Sequence, residues 1–427
     1  MPPPSISEFS ALTPKPSGAF RVIHTADWHL GRALGDLDRT EEQRRFLDFL
    51  RRSILDTQTD ALVIAGDVFD SATPPQSAVR LYFEFLAALH RESGCVTVVT
   101  AGNHDSPGHL DSPRELLRVI DVRVAASWPA DPAELLIPLP SPESPKVVIA
   151  AVPFLRERDL RTGHLGQSAA EIQSDLRDGL VRRYAEIAAA AQPWIEQGVP
   201  ILATGHLTAL GGTTSDSERE IHVGGLGSIG ADAFPNCFAY VALGHLHRPQ
   251  AVGGCPQIRY SGSPITLSFS EASDHKEIRV LDFAGGALVG NQSISVPQAR
   301  KLVQLKVPYA ELEARLQGLS VPECEMESWL EIAIQDAPPG EDLYRTVRNA
   351  VAGRPFQVIC VKLERSGGIA ALGLDDATGD DEMESILSDP RRVFERRLEQ
   401  EPALDEAERT TLATAFDELC GVLEERK

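Results

Sequence analysis

The side chains best suited to chemistry in this 427-residue chain arrive in five short segments. "ADWHLG" offers Asp27 and His29, "GDVFD" offers Asp67, and "GNHD" offers Asn103, His104 and Asp105. "TGHLT" adds His206, and "GHLH" adds His245 and His247. Each segment alone is ordinary turn chemistry, since glycine beside a short polar residue ends many strands, and an isolated His-x-His reads first as two polar loop residues. Their ordered recurrence points instead to a common metal site. Seven donors (Asp27, His29, Asp67, Asn103, His206, His245 and His247) are too many for one cation and suit two sharing a bridge, for which Asp67 is the natural group. Two carboxylates against a pair of divalent ions leave a positive surplus that attracts phosphate and acidifies water, which favours phosphoester hydrolysis. Nitrogen and oxygen donors without thiolate fit manganese, iron or zinc better than magnesium.

The elements that must position these groups are apolar runs alternating with helical patterns. The runs are "FRVIHTA" from Phe20, "ALVIAG" from Ala61, "VTVVTAG" from Val96, "KVVIAAV" from Lys146, "PILATG" from Pro200 and "FAYVALG" from Phe238. Five of the six finish in Asp, Asn or His, four of them beside a glycine. Between them, Thr40 to about Asp56 reads as a helix, with Thr40 and Gln43 at capping-box spacing and Phe46, Leu47, Leu50 and Ile54 on one face. Strands buried on both sides with helices between them predict a layered α/β core with its working loops at the carboxyl ends of the strands.

Composition sets limits on this picture. With 42% hydrophobic residues, the chain can bury one large α/β domain and one or two smaller units. The opening "MPPPSISEFSALTPKPSGA" lacks the pattern of a secretory signal and reads as a disordered tail over residues 1–19. No apolar run approaches a membrane span. Six scattered cysteines without a Cys-x-x-Cys pair suit a reducing cytoplasm. The net charge of -21 argues against a broad basic face, although residues 371–427 hold 17 acidic and 7 basic side chains and so carry nearly half of the excess. No Gly-x-x-x-x-Gly-Lys-Ser/Thr motif is present, so any ATP dependence comes from a partner. His24, His90, His109, His164, His222 and His275 fall outside the pattern and read as structural or surface residues.

The series Asp-x-His, Gly-Asp, Gly-Asn-His-Asp, Gly-His and Gly-His-x-His resembles the calcineurin-like metallophosphoesterase superfamily over roughly Phe20 to Phe283. "TADWHLGR", "AGDVFD", "GNHDSP" and "YSGSPITLSFSE" (Tyr260 to Glu271) are similar, more narrowly, to SbcD-type nuclease subunits of SbcCD complexes. The resemblance implies a four-layer α/β sandwich of two mixed sheets flanked by helices, over residues 20–285. It implies one metal on Asp27, His29, Asp67 and His247 and a second on Asp67, Asn103, His206 and His245; the expected cations are two divalent ions, with Mn2+ foremost. His104 would then assist charge at the scissile phosphate, with Asp105 orienting its imidazole. Some relatives carry a histidine three residues after the bridging Asp; here that position is Asp70, which stays outside the expected site. Arg156, Arg158, Tyr260 and Ser263 are weaker substrate-contact candidates, because a solvated loop and a tight Ser-Gly-Ser-Pro turn explain them equally well.

Beyond the core, "KLVQLKVP", "SWLEIAIQD" and "FQVICVKLE" read as strands separated by helices from Tyr309 and Glu341, a small α+β unit over residues 286–366. In the resembled family such a unit caps the active site and helps position DNA. An acidic Gly-rich stretch, 367–384, reads as a linker. Residues 385–427 follow as a helical pair: Asp389 and Pro390 open the first helix, with Phe394 and Leu398 after them, and Leu412, Phe416, Leu419 and Leu423 stripe the second. The resemblance implies that this pair binds the coiled coil of an SbcC-type ATPase, that the nuclease domain forms a homodimer, and that the complex works on DNA in the cytoplasm, associated with the nucleoid. The implied activity is a two-metal nuclease, an exonuclease on double-stranded ends and an endonuclease on single-stranded or hairpin DNA, serving DNA repair. A phosphatase or small-molecule phosphodiesterase on the same core would not need the cap or tail. A metal-free scaffold would show missing ligands, and none is missing.

Overall fold

The computed structural model describes residues 13–161, 163, 166–209, 213, 215, 217–218, 229–338, 341–364, 389–399 and 405–424. The expected linker at 367–384 and most of the expected N-terminal tail lie outside these residues, as do His164 and His222. In chain order the strands are β1 Phe20–Thr25, β2 Ala61–Ala65, β3 Val96–Thr100, β4 Val122–Ala125, β5 Leu136–Leu139, β6 Val147–Ala150, β7 Ile201–His206, β8 Phe238–Gly244, β9 Gln250–Val252, β10 Cys255–Tyr260, β11 Glu277–Ala284, β12 Ala287–Ser295, β13 Leu302–Pro308, β14 Ser328–Gln335 and β15 Phe356–Glu364.

Two six-stranded sheets form the core, ordered β12-β11-β1-β2-β3-β4 and β5-β6-β7-β8-β10-β9. Both are mixed: β1 through β4 pair in parallel, as do β6, β7, β8 and β10, while the flanking β11, β12, β5 and β9 pair antiparallel. Because successive side chains on a strand point to opposite faces, each strand serves two layers. Val22, Ala61, Val63 and Val98 of the first sheet join Val148, Ala150, Leu202 and Val241 of the second in one core. Their neighbours Ile23, Leu62, Ile64 and Val99 join Phe46, Leu47, Leu50 and Ile54 of the helix Thr40–Asp56, and Leu81, Phe85 and Leu89 of the helix Gln76–Glu92. The helix Ala169–Ala190 adds Leu176, Leu180, Tyr184 and Ile187 to the core of the second sheet, completing the helix–sheet–sheet–helix order. Each such aliphatic side chain contributes roughly 1.5–3 kcal/mol on leaving water, which holds the strand ends firmly enough to carry strained loops.

Two local expectations change. The helix at Thr40 is capped by the backbone of Arg39 without a side-chain bond, because Gln43 is drawn elsewhere. Its buried amide accepts from Gly31 N–H at 3.1 Å and donates to the carbonyls of His29 and Arg32 at 3.3 and 3.2 Å, so it braces the loop after β1 instead of closing a capping box. The boundary expected at residue 285 also moves, since β12 is the edge strand of the first sheet. Gly285 and Gly286 supply the two positive φ angles, 59° and 81°, that a tight two-residue hairpin requires between β11 and β12.

The chain divides into two compact units, Met1–Val303 with Pro322–Trp329, and Gln304–Val321 with Leu330–Lys427. The smaller one holds most of a three-stranded sheet, β13-β14-β15, with Leu330, Ile332 and Ile334 fully buried alongside Leu312, Leu316 and Val347 of two short helices. Farther along, Asp389 caps the helix Pro390–Glu399 by accepting from Arg391 N–H at 2.9 Å, and Asp405 and Glu408 form reciprocal bonds at the start of the helix Glu406–Glu424. Phe394 stacks on Phe416 at 4.0 Å, which takes Phe416 out of the expected apolar stripe and leaves Leu412 and Leu419 exposed. Among the described residues, no helix is long and apolar enough to cross a membrane.

Candidate metal centre

Both sheets deliver their polar residues at the carboxyl ends of parallel strands. Asp27 and His29 follow β1, Asp67 follows β2, Asn103 and His104 follow β3, His206 closes β7, and His245 and His247 follow β8. The loops that carry them are bent hard. Asp27, His29, Asp67 and His245 all have positive φ, between 45° and 99°, a region that side chains other than glycine enter only when the surroundings dictate it. Backbone bonds across the loops do the dictating: Asp27 N–H donates to Gly66 O at 3.1 Å and His29 N–H to Asp67 O at 3.1 Å. The neighbouring glycines make room. A Cβ on Gly102 would stand 2.7 Å from Asp67 Cγ, and one on Gly66, whose φ is 90°, would stand 2.8 Å from Cγ of the His206 ring and nearer still to its Nδ1.

The donors converge in two overlapping clusters. Ligand atoms of Asp27, His29 and His247 all lie within 4.8 Å of one another, and so do those of Asp27, Asp67 and His206. Asn103 Oδ1 is 2.8 Å from His206 Nε2 and 3.3 Å from His245 Nδ1, which joins the last two donors to the second cluster. Asp67 Oδ2 sits between the clusters, 3.5 Å from His29 Nε2 and 3.3 Å from His206 Nε2. Six of the seven donors are buried, Asn103 being half-buried. Asp27 Oδ2 and His29 Nε2 are wholly enclosed yet have no hydrogen-bond partner, a costly condition unless the atoms serve as ligands. Buried oxygen and nitrogen donors with unspent lone pairs fit divalent cations.

Electrostatics at the centre follows from crowding these groups out of water. Burial alone would raise Asp67, but the imidazoles of His206, His29 and His104 outweigh it and hold the carboxyl well below its usual range. Burial works against a charged His206 too, yet Asp67 and Asp27 push that ring up to about 9. Asp27 is driven well above the ordinary carboxylate range by burial, with the charge of Asp67 adding to it. His245 is driven well below its ordinary value by burial and by neighbouring His206. Protons and a multivalent cation compete for the same lone pairs in such a cluster.

The other expected site residues fare differently. His104 N–H donates to Asp67 Oδ1 at 2.8 Å, and its ring stands edge-on to His29 with centroids 4.7 Å apart. Its Nδ1 meets the backbone carbonyl of Asp70 at 2.7 Å, so a main-chain oxygen engages the nitrogen expected for Asp105. Asp105 instead accepts backbone N–H bonds from Gly102, Val68 and Phe69 at 2.9, 3.2 and 3.0 Å, tying the β2 loop to the β3 loop. Arg158 is exposed and Arg156 half-buried, both at the start of the short helix Glu157–Leu160. Tyr260 and Ser263 are corrected as substrate contacts: both are fully buried and already bonded, Tyr260 OH to Leu207 O at 2.8 Å and to Ala209 N–H at 2.9 Å, and Ser263 Oγ to Ile265 O at 3.0 Å.

Several groups near the centre lay outside the expected site. Asp70 Oδ1 holds His29 Nδ1 at 3.1 Å and is itself held by Arg32 at 3.0 Å. Glu271, Lys276, Ser217 and Glu218 gather behind His247. Two of them had a signal: Glu271 as the last residue of the family-like stretch from Tyr260, and Asp70 as the position where some relatives carry a histidine.

Fold and donor set together define a class. Residues 20–249 match the family model described as calcineurin-like phosphoesterase, and residues 298–402 match the type 5 capsule protein repressor C-terminal domain. The chain is 36% identical over 397 residues to SbcD of the SbcCD nuclease of Escherichia coli strain K12, covering 93% of this chain and 96% of that protein. The SbcD of Rhodobacter capsulatus is 35% identical over 360 residues, covering 81% of this chain and 87% of its own, and that of Bacillus subtilis 33% over 312 residues, covering 73% and 75%. The chain belongs to the SbcD family of calcineurin-like phosphoesterases.

Proposed function

We propose that this chain is the nuclease subunit of an SbcCD-type complex, a metal-dependent hydrolase of DNA phosphodiester bonds. The observation that carries the reading is the convergence of seven oxygen and nitrogen donors at the carboxyl ends of parallel strands from both sheets, with Asp27 Oδ2 and His29 Nε2 enclosed and without a hydrogen bond. Asp27, His29, Asp67 and His247 would hold one cation and Asp67, Asn103, His206 and His245 the other, with Mn2+ suited to this donor mixture. The two bound cations supply the positive charge that draws in a phosphate and lowers the pKa of water.

The chain's own residues then do the positioning and the proton work. The bond from His104 Nδ1–H to the Asp70 carbonyl fixes Nδ1 as a donor, so the ring exchanges a proton with a phosphate oxygen through Nε2. Asp105, by fastening three backbone amides, sets where His104 stands and does not touch the reacting atoms. Exposed Arg158 and half-buried Arg156 are available to DNA phosphates. Partner binding falls to other surfaces. Leu412 and Leu419 give the last helix an apolar face suited to the coiled coil of an SbcC-type ATPase, and Leu116 and Val119, both more than 70% exposed, suit a homodimer contact. Exonuclease action on duplex ends and endonuclease action on single-stranded or hairpin DNA complete the reading.

His104→Ala and Asp67→Ala separate chemistry from metal binding. Elemental analysis beside a DNA-cleavage assay should show that His104→Ala keeps its cations and loses cleavage by roughly 100-fold or more, the scale of a positioned proton donor. Asp67→Ala should lose both. Loss of cations from His104→Ala would remove that residue from the role assigned to it.

A further inference from the structure

Behind His247 lies a wholly buried ion pair that the reaction itself does not use. Lys276 Nζ is 2.7 Å from Glu271 Oε2, and neither side chain reaches solvent. The same ammonium donates to the backbone carbonyl of His247 at 3.0 Å and to Ser263 Oγ at 2.9 Å. Glu271 turns its other oxygen toward His247 Nδ1 at 3.2 Å, while Oε2 also accepts from Leu267 N–H at 3.0 Å. Ser217 Oγ, 2.6 Å from His247 Nδ1, donates to Glu271 Oε1 and strengthens the same link.

Stability does not explain this arrangement. Taking two charges out of water costs several kcal/mol per ion, and apolar residues of similar volume often serve a core as well or better. What an apolar pair cannot do is grip one histidine twice. Here the ring is held through the carboxylate and the main chain through the ammonium. A carboxylate on Nδ1 keeps the proton on that nitrogen and turns Nε2 toward Asp27 and His29, the arrangement that orients a ligating imidazole and raises its basicity.

We infer that Glu271 and Lys276 form a positioning pair that fixes the ring orientation and tautomer of His247, and so sets how tightly the cation on Asp27, His29 and His247 is held. This rests on the two-cation reading of the centre. The alternative is a strut that merely fastens the turn Tyr260–Lys276 to the core.

Two variants of the full chain distinguish these. Glu271→Gln with Lys276→Met removes both charges together, so no unpaired ion is left buried. The amide has a single oxygen and cannot serve both the His247 Nδ1–H and the Leu267 N–H. Glu271→Asp keeps the ion pair and withdraws the carboxylate by one methylene. Chelator-stripped protein would be titrated with Mn2+ by calorimetry, with the melting temperature of the stripped protein measured alongside. Wild-type protein should bind two Mn2+, and the variants should keep a similar melting temperature while binding one of the two roughly 10- to 100-fold more weakly. A folded variant that binds both Mn2+ with wild-type affinity overturns the proposal, and failure of both variants to fold assigns the pair to the strut and overturns it as well. Fewer than two Mn2+ on the wild-type protein would defeat the two-cation reading itself, a result that does not depend on either variant.

Discussion

Replacing Gly102 by alanine puts one methyl group where the β3 loop crosses Asp67. The new Cβ would lie 2.7 Å from Asp67 Cγ and nearer still to its Oδ1 and backbone N, whereas ordinary contacts begin at 3.4 Å. Asp67 has to yield by about 0.7 Å or more, and it cannot do so alone, because its Oδ1 accepts from His104 N–H and its carbonyl from His29 N–H. Overpacking of this kind costs roughly 1–3 kcal/mol of stability. At about 2–4 °C per kcal/mol for a domain of this size, the melting temperature should fall by a few degrees up to about 12 °C. The functional loss should be larger in proportion. A shift approaching 1 Å in the carboxylate that stands between the two clusters disturbs its distances to His29 and His206, and misplacements of that size cost on the order of 100-fold in rate. Calorimetric Mn2+ titration, a DNA-cleavage assay and thermal denaturation read the three quantities on one preparation. Gly94→Ala is the control, since a Cβ there meets nothing within 4 Å, and it should leave all three unchanged. Gly102→Ala protein that binds cations and cleaves DNA as the wild type does would refute the claim that close approach at this glycine fixes Asp67.

Two further outcomes follow from regions away from the reacting atoms. His24, fully buried against Tyr240, is pushed down to about 3 by burial and by Arg279, so the folded protein refuses a proton that the unfolded chain accepts at its ordinary value of 6.5. The unfolded state therefore binds more protons between these values; stability is complete above about pH 6.5 and falls as pH drops toward 3. At roughly 1.4 kcal/mol per pH unit, wild-type protein should lose about 2 kcal/mol more than His24→Gln between pH 6.5 and 5 in denaturant unfolding, and parallel curves would contradict this. Truncation after residue 388, which removes Phe394, Phe416 and the exposed Leu412 and Leu419, should leave Mn2+-dependent cleavage of single-stranded DNA intact and abolish co-purification with the ATPase. Undiminished association would move the partner surface elsewhere.

What was legible in the sequence depended on how local its cause was. The placing of the seven candidate donors at strand ends could be read because each stands where an apolar run stops, and a parallel strand in a layered α/β fold presents its carboxyl end to the working loops. The face of the helix Thr40–Asp56 could be read for the same reason, from 3.6-residue periodicity alone. Residues that act across the fold left no such mark. Gln43 looked like part of a cap until tertiary contact drew it to the carbonyls of His29 and Arg32. Asp70 looked like a departure from a motif, yet its side chain holds His29 and its carbonyl holds His104. The burial of Tyr260 and Ser263 left no mark either, since their hydroxyls are engaged by backbone groups of Leu207, Ala209 and Ile265. Lys276 was the least legible of all: a lysine before a strand reads as solvated, and its burial is explained by the enclosed carboxylate of Glu271 together with the His247 carbonyl and Ser263 Oγ.

Hydrolysis of DNA by this centre with two bound divalent cations is the proposed activity. It is tested most directly by offering chelator-stripped and Mn2+-loaded protein, with and without the ATPase partner, linear duplex, hairpin and single-stranded DNA beside a small phosphodiester. DNA should be cleaved only by the loaded protein, Asp67→Ala should lose that cleavage, and duplex cleavage should depend on the partner and ATP. Hydrolysis of the small ester alone, even with the partner present, or DNA cleavage that survives removal of the cations, would contradict it.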